Sequence, residues 1–428
     1  MMRVLKFGGT SVADAAAISR VVGIVSERQG ARTVVVSALA GVTDALLEIA
    51  RRSADDLDAA LASLQTLVTR HRSVADAFTC DETRRVLDAA LDGIAAGAAG
   101  AARAIAAGAS SPALVDRLLA CGELWSSRIV SAAFASAGVP VQWIDARHLV
   151  RTDARHGEAN PDLVAIDKAV TRLVRPALAL DRVVVVGGFV GSGPDGATTT
   201  LGRGGSDYSA AVLGACLLAD EIEIWTDVDG VFTADPRVVP GARVLPALSY
   251  EDAETLATFG AKVLHPRTIE PAASREIPVR VLNSHRPGLP GTRIDGSAAD
   301  VTGYTAVSSR GGLSLLEFTA RDRNALRGFG ARVLHALEEE RISIVVCEVH
   351  RDRVCVAADG AFDSAALRTR VDAFAELRSR DGLSAVCAVG DRLPKPFVMV
   401  VEDRHAHAIV TRLHDSFAAD VVDERVAS

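Results

Sequence analysis

Aromatic residues make up only 4% of this 428-residue chain, its six cysteines include no C-x-x-C pair, and its net charge of −7 comes with no basic block. Each deficit excludes something. Cys80, Cys121, Cys216, Cys347, Cys355 and Cys387 are scattered among mostly apolar neighbours, which argues against a zinc site or a disulfide frame and for buried thiols in a reducing cytoplasm. Without an arginine- or lysine-rich face there is no electrostatic footprint for nucleic acid. The start, MMRVLKFGG, lacks an apolar signal core, and no run of 18 apolar residues suggests a membrane span, so a cytoplasmic protein without a membrane partner is expected. The G-x-x-x-x-G-K-[ST] of a P-loop is missing as well. Local spacing shows no Ser-His-Asp or Cys-His arrangement, and His156 has no companion at metal-ligand spacing, so no metal site is expected from protein side chains alone.

What the chain has in quantity is alanine and short β-branched runs. Strands are expected at 3–7, 32–38, 139–145, 182–189 and 221–227, with helices near 13–29, 43–71, 83–107, 112–137, 161–176 and 206–219. Apolar runs bounded by glycine suit parallel strands covered on both faces, so residues 1–295 read as a three-layer α/β/α sandwich. NSHRPGLPGTRIDGS (283–297) reads as a linker. Beyond it, in a region spanning 300–428, LSLLEFTA (313–320), a helix (323–339), ISIVVCEV and RVCVAAD, a helix (362–379) and LSAVCAV (383–389) give a ferredoxin-like β-α-β-β-α-β succession. FVMVV (397–401) and a last helix (405–417) follow.

Ligands of open α/β sheets bind at the carboxyl ends of the strands, and four polar turns fall there. KFGGTSV (6–12) puts Lys6 beside the N–H groups of Gly8 and Gly9. SALAGVTD (37–44) offers Ser37 and Thr43 to a small polar substrate. In VVVVGGFVGSGPDGATTTLGRGGSD (183–207), Gly191, Gly193 and Gly196 match G-x-G-x-x-G, but Pro194 and Asp195 lie inside the match and a threonine run follows it, so it is not a dinucleotide fingerprint. The glycine turn that does precede a helix is GRGGSD (202–207), a shape suited to anions, where Arg203 can grip a carboxylate and Asp207 can orient ammonium groups. WTDVDGVFTADPRVV (225–239) gathers Thr226, Asp227, Asp229, Asp235 and Arg237; its aspartates could meet Mg²⁺ directly, although that ion is often held by nucleotide phosphates and water. Lys262 in FGAKVLHP (259–266) can supply a second cation. Glu123 in CGELWSSR (121–128) sits among apolar residues, where a buried carboxylate needs a protein cation or a substrate ammonium.

Taken in order, KFGGTSV, SALAGVTD, the Gly-Glu of CGELWSSR, RTDARHG (151–157), GGFVGS (187–192), TTTLGRGGSDYSAA (198–211), WTDVDGVFTADPR and GAKVLHP resemble the aspartate kinases of the amino-acid kinase family over about residues 1–295. The resemblance implies transfer of the ATP γ-phosphoryl group to the β-carboxylate of L-aspartate, giving 4-phospho-L-aspartate at the start of aspartate-family amino-acid biosynthesis. By the same resemblance Lys6, Gly9 and Asp207 are catalytic. Ser37, Thr43, Glu123 and Arg203 hold aspartate. Lys6, Gly8, Gly9, Thr226, Asp227, Phe232, Asp235, Arg237 and Lys262 border ATP with its Mg²⁺. His156 stands where relatives often have phenylalanine, and Phe232 where many have tyrosine. The tail resembles paired ACT domains that form homodimers or higher homo-oligomers. Its second unit is shortened by a helix-strand pair, since RLPKP (392–396) leads straight to FVMVV. ISIVVCEVH (342–350) departs from an effector pocket of that kind, so feedback by lysine or threonine is not carried over. Two other readings remain: a catalytically silent regulatory subunit, and a kinase for another acidic amino acid.

Overall fold

The computed structural model describes residues 1–79, 81–109, 111–261, 265–296, 305–322, 324–359, 362–390, 393 and 396–426. The chain forms two compact units: Met1–Val231 with Pro246–Tyr250 and Val263–Ala298, and Phe232–Leu245 with Glu251–Lys262 and Ala299–Ser428.

In the first unit, strands β1 (Met2–Phe7), β2 (Ala31–Val36), β3 (Val141–Ile144), β4 (Val183–Gly187), β7 (Glu221–Thr226), β8 (Ala247–Leu248), β9 (Val279–Asn283) and β10 (Thr292–Ile294) make one sheet, while β5 (Val190–Ser192) and β6 (Thr198–Thr200) pair as a separate hairpin. The sheet order is β3-β4-β2-β1-β7-β9-β10-β8, parallel except where β10 meets β9. Strand alternation sorts the side chains into two layers. Leu5, Phe7, Val34 and Val36 enter a core with the helices Ala15–Ser26, Val42–Arg52, Leu57–Ala75, Asp81–Ala106 and Cys121–Ser136. Lys6 is on the other face, where helix Gly205–Leu217 packs against β1. The three-layer reading therefore holds.

Several expectations need correction. The helix expected over 43–71 is two helices, Val42–Arg52 and Leu57–Ala75, because Asp56 breaks the run and caps the second through Ala59 N–H. The stretch 161–176 contains a π-turn at Val170–Val174 just before Pro176, which cannot donate the next helical bond. Gly191, Gly193 and Gly196, by contrast, open no helix, as expected: they belong to the β5–β6 hairpin and its turn. Strands β8 to β10 were not anticipated, and β9 lies next to β7 at the ligand-bearing edge. Thr83–Ala106 is, by length and composition, long and apolar enough to cross a membrane. It owes this to its many alanines, and Leu87, Leu91, Ala98 and Ala101 bury one face of it in the core.

His71 belongs to that core. It is fully buried against the Trp125 ring at 4.7 Å, with Nδ1 2.6 Å from Leu67 O. Burial lowers its pKa to about 4. The unfolded imidazole takes its proton near 6.5 and the folded one only near 4, so the unfolded state binds more protons in that window and stability falls as pH falls. At pH 4 the loss amounts to about 3 kcal/mol. In thermal melts from pH 7 to pH 4.5, His71→Phe should show a shallower fall in midpoint than the parent chain; equal slopes would exclude His71 as the source.

The second unit holds a five-stranded antiparallel sheet in the order β12-β13-β11-β14-β15, with β11 Ala306–Ala320, β12 Ser343–Val349, β13 Arg353–Asp359, β14 Ala375–Val389 and β15 Phe397–Glu402. The last portion of β11, helix Phe329–Glu339, β12, β13, helix Ser364–Val371 and the first portion of β14 complete one ferredoxin-like circuit. The remaining portions of β11 and β14, with β15 and helix Asp403–Val426, make a second set poorer in elements. The helix expected to 379 stops at Val371, and β14 begins at Ala375, because Ala375 and Leu377 are buried while Glu376 and Arg378 are exposed, an alternation of period two.

Candidate active site

The turns that follow β1, β2 and β4 converge through backbone bonds. Gly8 N–H donates to Trp225 O at 3.0 Å, Ser37 N–H to Phe7 O at 3.0 Å, Ala40 N–H to Gly9 O at 3.1 Å and Gly188 N–H to Val36 O at 2.8 Å. Helix Cys121–Ser136 lies hard against the second of these turns. A Cβ on Gly122 would sit 2.7 Å from Ala38 Cβ, so only glycine allows Glu123 to approach. The result is a cavity of about 1020 Å³ lined by Lys6, Gly9, Ser37, Thr43, Glu123, Arg203 and Asp207, among others.

Its electrostatics follow from burial. Lys6 is 8% exposed, and its Nζ lies 2.5 Å from Asp207 Oδ1 in the first turn of helix Gly205–Leu217. Glu123 is 3% exposed; one carboxylate oxygen, Oε2, has no hydrogen-bond partner among the described residues. Burial pushes its pKa up to about 8, against the opposing pull of the Ala38 N–H, its own N–H and the Lys6 charge. Arg203 is exposed in the turn Gly202–Gly204, and no hydrogen bond or ion pair engages its side chain among the described residues. The turn is fixed from behind: Gly204 has φ +69°, and a Cβ there would meet His265 Cβ at 2.4 Å. Burial raises the Cys121 thiol to about 12, so this cysteine stays protonated at neutral pH.

The remaining candidates are distributed differently. A Cβ on Gly8 would lie 3.6 Å from Lys6 Nζ, so Gly8 backs the lysine. Thr226 ends β7, Asp227 follows it, and the two bond to each other, Thr226 Oγ1 to Asp227 Oδ1 at 3.2 Å. Phe232, Asp235 and Arg237 belong to the second unit, where Phe232 bridges Val244 and Arg237 clasps Asp235 through Nε at 2.9 Å and Nη2 at 2.5 Å. Lys262 lies outside the described residues.

Comparison with known proteins agrees with this geometry. The amino acid kinase family matches residues 1–283. Lysine-sensitive aspartokinase 3 of Escherichia coli (strain K12) is 34% identical over 405 residues, which is 92% of this chain and 88% of that protein. The chain belongs to the aspartokinases of the amino-acid kinase family. The crystal structure of E. coli aspartokinase III in complex with aspartate and ADP, described as the R-state, superposes with a TM-score of 0.88 at 30% identity, covering 97% of this chain and 99% of that one. The same enzyme in complex with lysine and aspartate, the T-state, gives 0.77 at 31% identity, with 97% and 99% covered.

Two residues of this kinase cavity escaped the sequence reading. Phe189, next to the cavity, has φ +63°, a left-handed conformation that a bulky residue rarely takes and that clusters at functional sites. Nothing in a single sequence flags it. Asp116, buried at 1% exposure, also lines the cavity. It precedes Glu123 by seven residues, two helical turns, and that spacing was legible.

Proposed function

We propose that this chain transfers the γ-phosphoryl group of ATP to the β-carboxylate of L-aspartate, giving 4-phospho-L-aspartate. The observation that carries the reading is the buried Glu123 carboxylate in one cavity with Arg203, Glu123 Oε2 and the Arg203 side chain both lacking a partner among the described residues. A carboxylate and a guanidinium are what the ammonium and carboxylate of an α-amino acid need, and Ser37 and Thr43 supply hydroxyls beside them. The nucleophile is already an anion, so no general base is required and catalysis rests on alignment and charge neutralisation. Lys6, held by Asp207, would neutralise the transferring group, with Gly9 N–H beside it. Thr226, Asp227, Phe232, Asp235, Arg237 and Lys262 remain the proposed border of ATP, with Gly8. Among the described residues no three His, Cys, Asp or Glu side chains gather as a metal site, so Mg²⁺ would arrive on the nucleotide's phosphate oxygens.

Homo-oligomer formation through the ACT-type unit belongs to the same reading. It is supported by apolar side chains left exposed on both edge strands, Ile344 and Val349 on β12 and Phe397 and Val400 on β15. Cytoplasmic residence is supported by the free thiols of Cys121, Cys216, Cys347, Cys355 and Cys387.

The test traps the acyl phosphate with hydroxylamine under saturating Mg-ATP. Hydroxamate should form with L-aspartate and not with L-glutamate. Glutamyl hydroxamate would instead make this a kinase of another acidic amino acid, and none from either substrate, in a sample that binds ATP, would leave a silent regulatory subunit.

A further inference from the structure

The Asp116 carboxylate has more to do than fill a helix position. On helix Pro112–Leu119 it accepts hydrogen bonds from Thr200 Oγ1 at 2.5 Å, Thr200 N–H at 3.3 Å, Gly157 N–H at 3.1 Å to each oxygen, and His156 Nδ1 at 2.8 Å. These partners lie 40, 41 and 84 residues away in sequence. The opposite side of the Thr200 peptide is held too, its carbonyl accepting from Ala159 N–H at 2.9 Å. Thr200 ends β6, and the chain runs from it through Leu201 and Gly202 to Arg203.

Two arms of the cavity are thereby tied together. Ala120, which links helix Pro112–Leu119 to helix Cys121–Ser136, keeps right-handed helical angles. Asp116 and Glu123 thus hang from one continuous helical stretch about 10 Å apart along its axis. Arg203 hangs from β6, which Asp116 grips. Because no described residue engages the Arg203 side chain, its reach is set by the anchoring of its backbone. Asp116, Gly157 and Thr200 all line the cavity, so this network forms part of the wall that a ligand meets.

We propose that Asp116 and His156 are a positioning pair for the substrate: they set the distance between the Arg203 arm and the Glu123 arm, and through it the affinity for aspartate. The inference rests on the activity proposed above. His156 is the only partner of Asp116 in the described network that is neither backbone nor part of β6. Its Nδ1 faces a carboxylate and therefore acts as donor. Losing that donor leaves a buried carboxylate short of a bond and removes the one side-chain bond from the 153–160 loop to Asp116, leaving the Gly157 and Ala159 N–H groups to brace Thr200. Neither residue is among those assigned above to the transferring phosphoryl group, so turnover at saturation should survive.

The experiment compares steady-state kinetics of the full chain with His156→Phe, which keeps the ring and removes the donor, and with His156→Asn, which returns an N–H near the Nδ1 position. Asp116→Asn serves as the milder change at the buried end. His156→Phe should raise KM for aspartate about tenfold, the scale of one hydrogen bond to a buried charge, with kcat and KM for ATP within about twofold. His156→Asn should recover most of the aspartate KM, and Asp116→Asn should raise it as His156→Phe does. An unchanged aspartate KM in His156→Phe overturns the proposal. So does a joint fall in kcat, ATP affinity and melting midpoint that His156→Asn fails to rescue, which would mark the pair as structural. If the parent chain itself forms no aspartyl hydroxamate, the activity proposal fails first and this one with it. An active parent with an indifferent His156→Phe refutes the positioning pair alone.

Discussion

Lys6→Met should lower kcat by about three orders of magnitude, the range seen when a preorganised charge on a transferring phosphoryl group is lost, while KM for aspartate changes little. The amino acid is held by Glu123 and Arg203 in the proposed site, and neither bonds to Lys6 in the structure. Lys6→Arg should not restore turnover. A guanidinium is broader and planar, and the room is taken: Asp207 Oδ1 is 2.5 Å from Nζ, and Gly8 backs it from below. A separate effect accompanies the loss of activity. Lys6→Met strands the Asp207 carboxylate, whose side chain is only 15% exposed, and an uncompensated charge there is destabilising. The double variant Lys6→Met with Asp207→Asn should therefore regain the melting midpoint and stay inactive. Hydroxamate turnover and calorimetry on the three variants separate the two effects, and near-normal turnover in Lys6→Met would remove Lys6 from the mechanism.

Glu123→Gln should move activity and stability in opposite directions. With the folded pKa raised from 4.5 to about 8 by burial, the folded state binds more protons than the unfolded one between those values, so the parent chain loses stability as pH rises through that window. A glutamine carries no such titration. It should be the more stable side chain, by on the order of 3 kcal/mol at neutral pH and by nothing near pH 4. Aspartate binding should all but vanish, because an amide cannot neutralise an ammonium ion. The same linkage governs the parent. Below pH 8 the carboxyl must shed its proton to pair with the incoming ammonium, so aspartate binding should release up to one proton and tighten as pH rises from 6 to 8. Calorimetric titrations in two buffers of different ionisation enthalpy measure that proton directly. Identical heats in both buffers would show that Glu123 is already ionised in the free protein.

The parts of the fold that were legible in the sequence are those specified locally. β1, β2, β4 and β7 announce themselves as apolar runs ended by glycine or polar turns, and the carboxyl-end rule then brings Lys6, Ser37, Thr43, Arg203 and Asp207 to one edge before any coordinates are known. Glu123 was found because a carboxylate in an apolar helix is costly without a partner. The Asp116 network was missed for the complementary reason. Its partners are up to 84 residues distant, and no periodicity within a window reports a contact across three elements. The stretch 375–379 was misread because Ala, Glu, Leu and Arg all favour helices, although Ala375 and Leu377 alternate with Glu376 and Arg378 as a strand requires. Phe189 was invisible because a single chain does not reveal a backbone angle.

The two compact units are not consecutive in the chain, which passes between them after Val231, Leu245, Tyr250, Lys262 and Ala298. Ala234 and Val239, from the stretch 232–245, are buried in one apolar cluster with Val307, Val386, Ala388, Ala406 and Val410. A gene cut after residue 298 would therefore not liberate a self-sufficient catalytic fragment; it would strip the partners from Ala234 and Val239 and present their cluster to water. For the same reason the tail is not an accessory that recombination could exchange at a single seam. Any replacement would have to bring its own seat for 232–245 and 251–262.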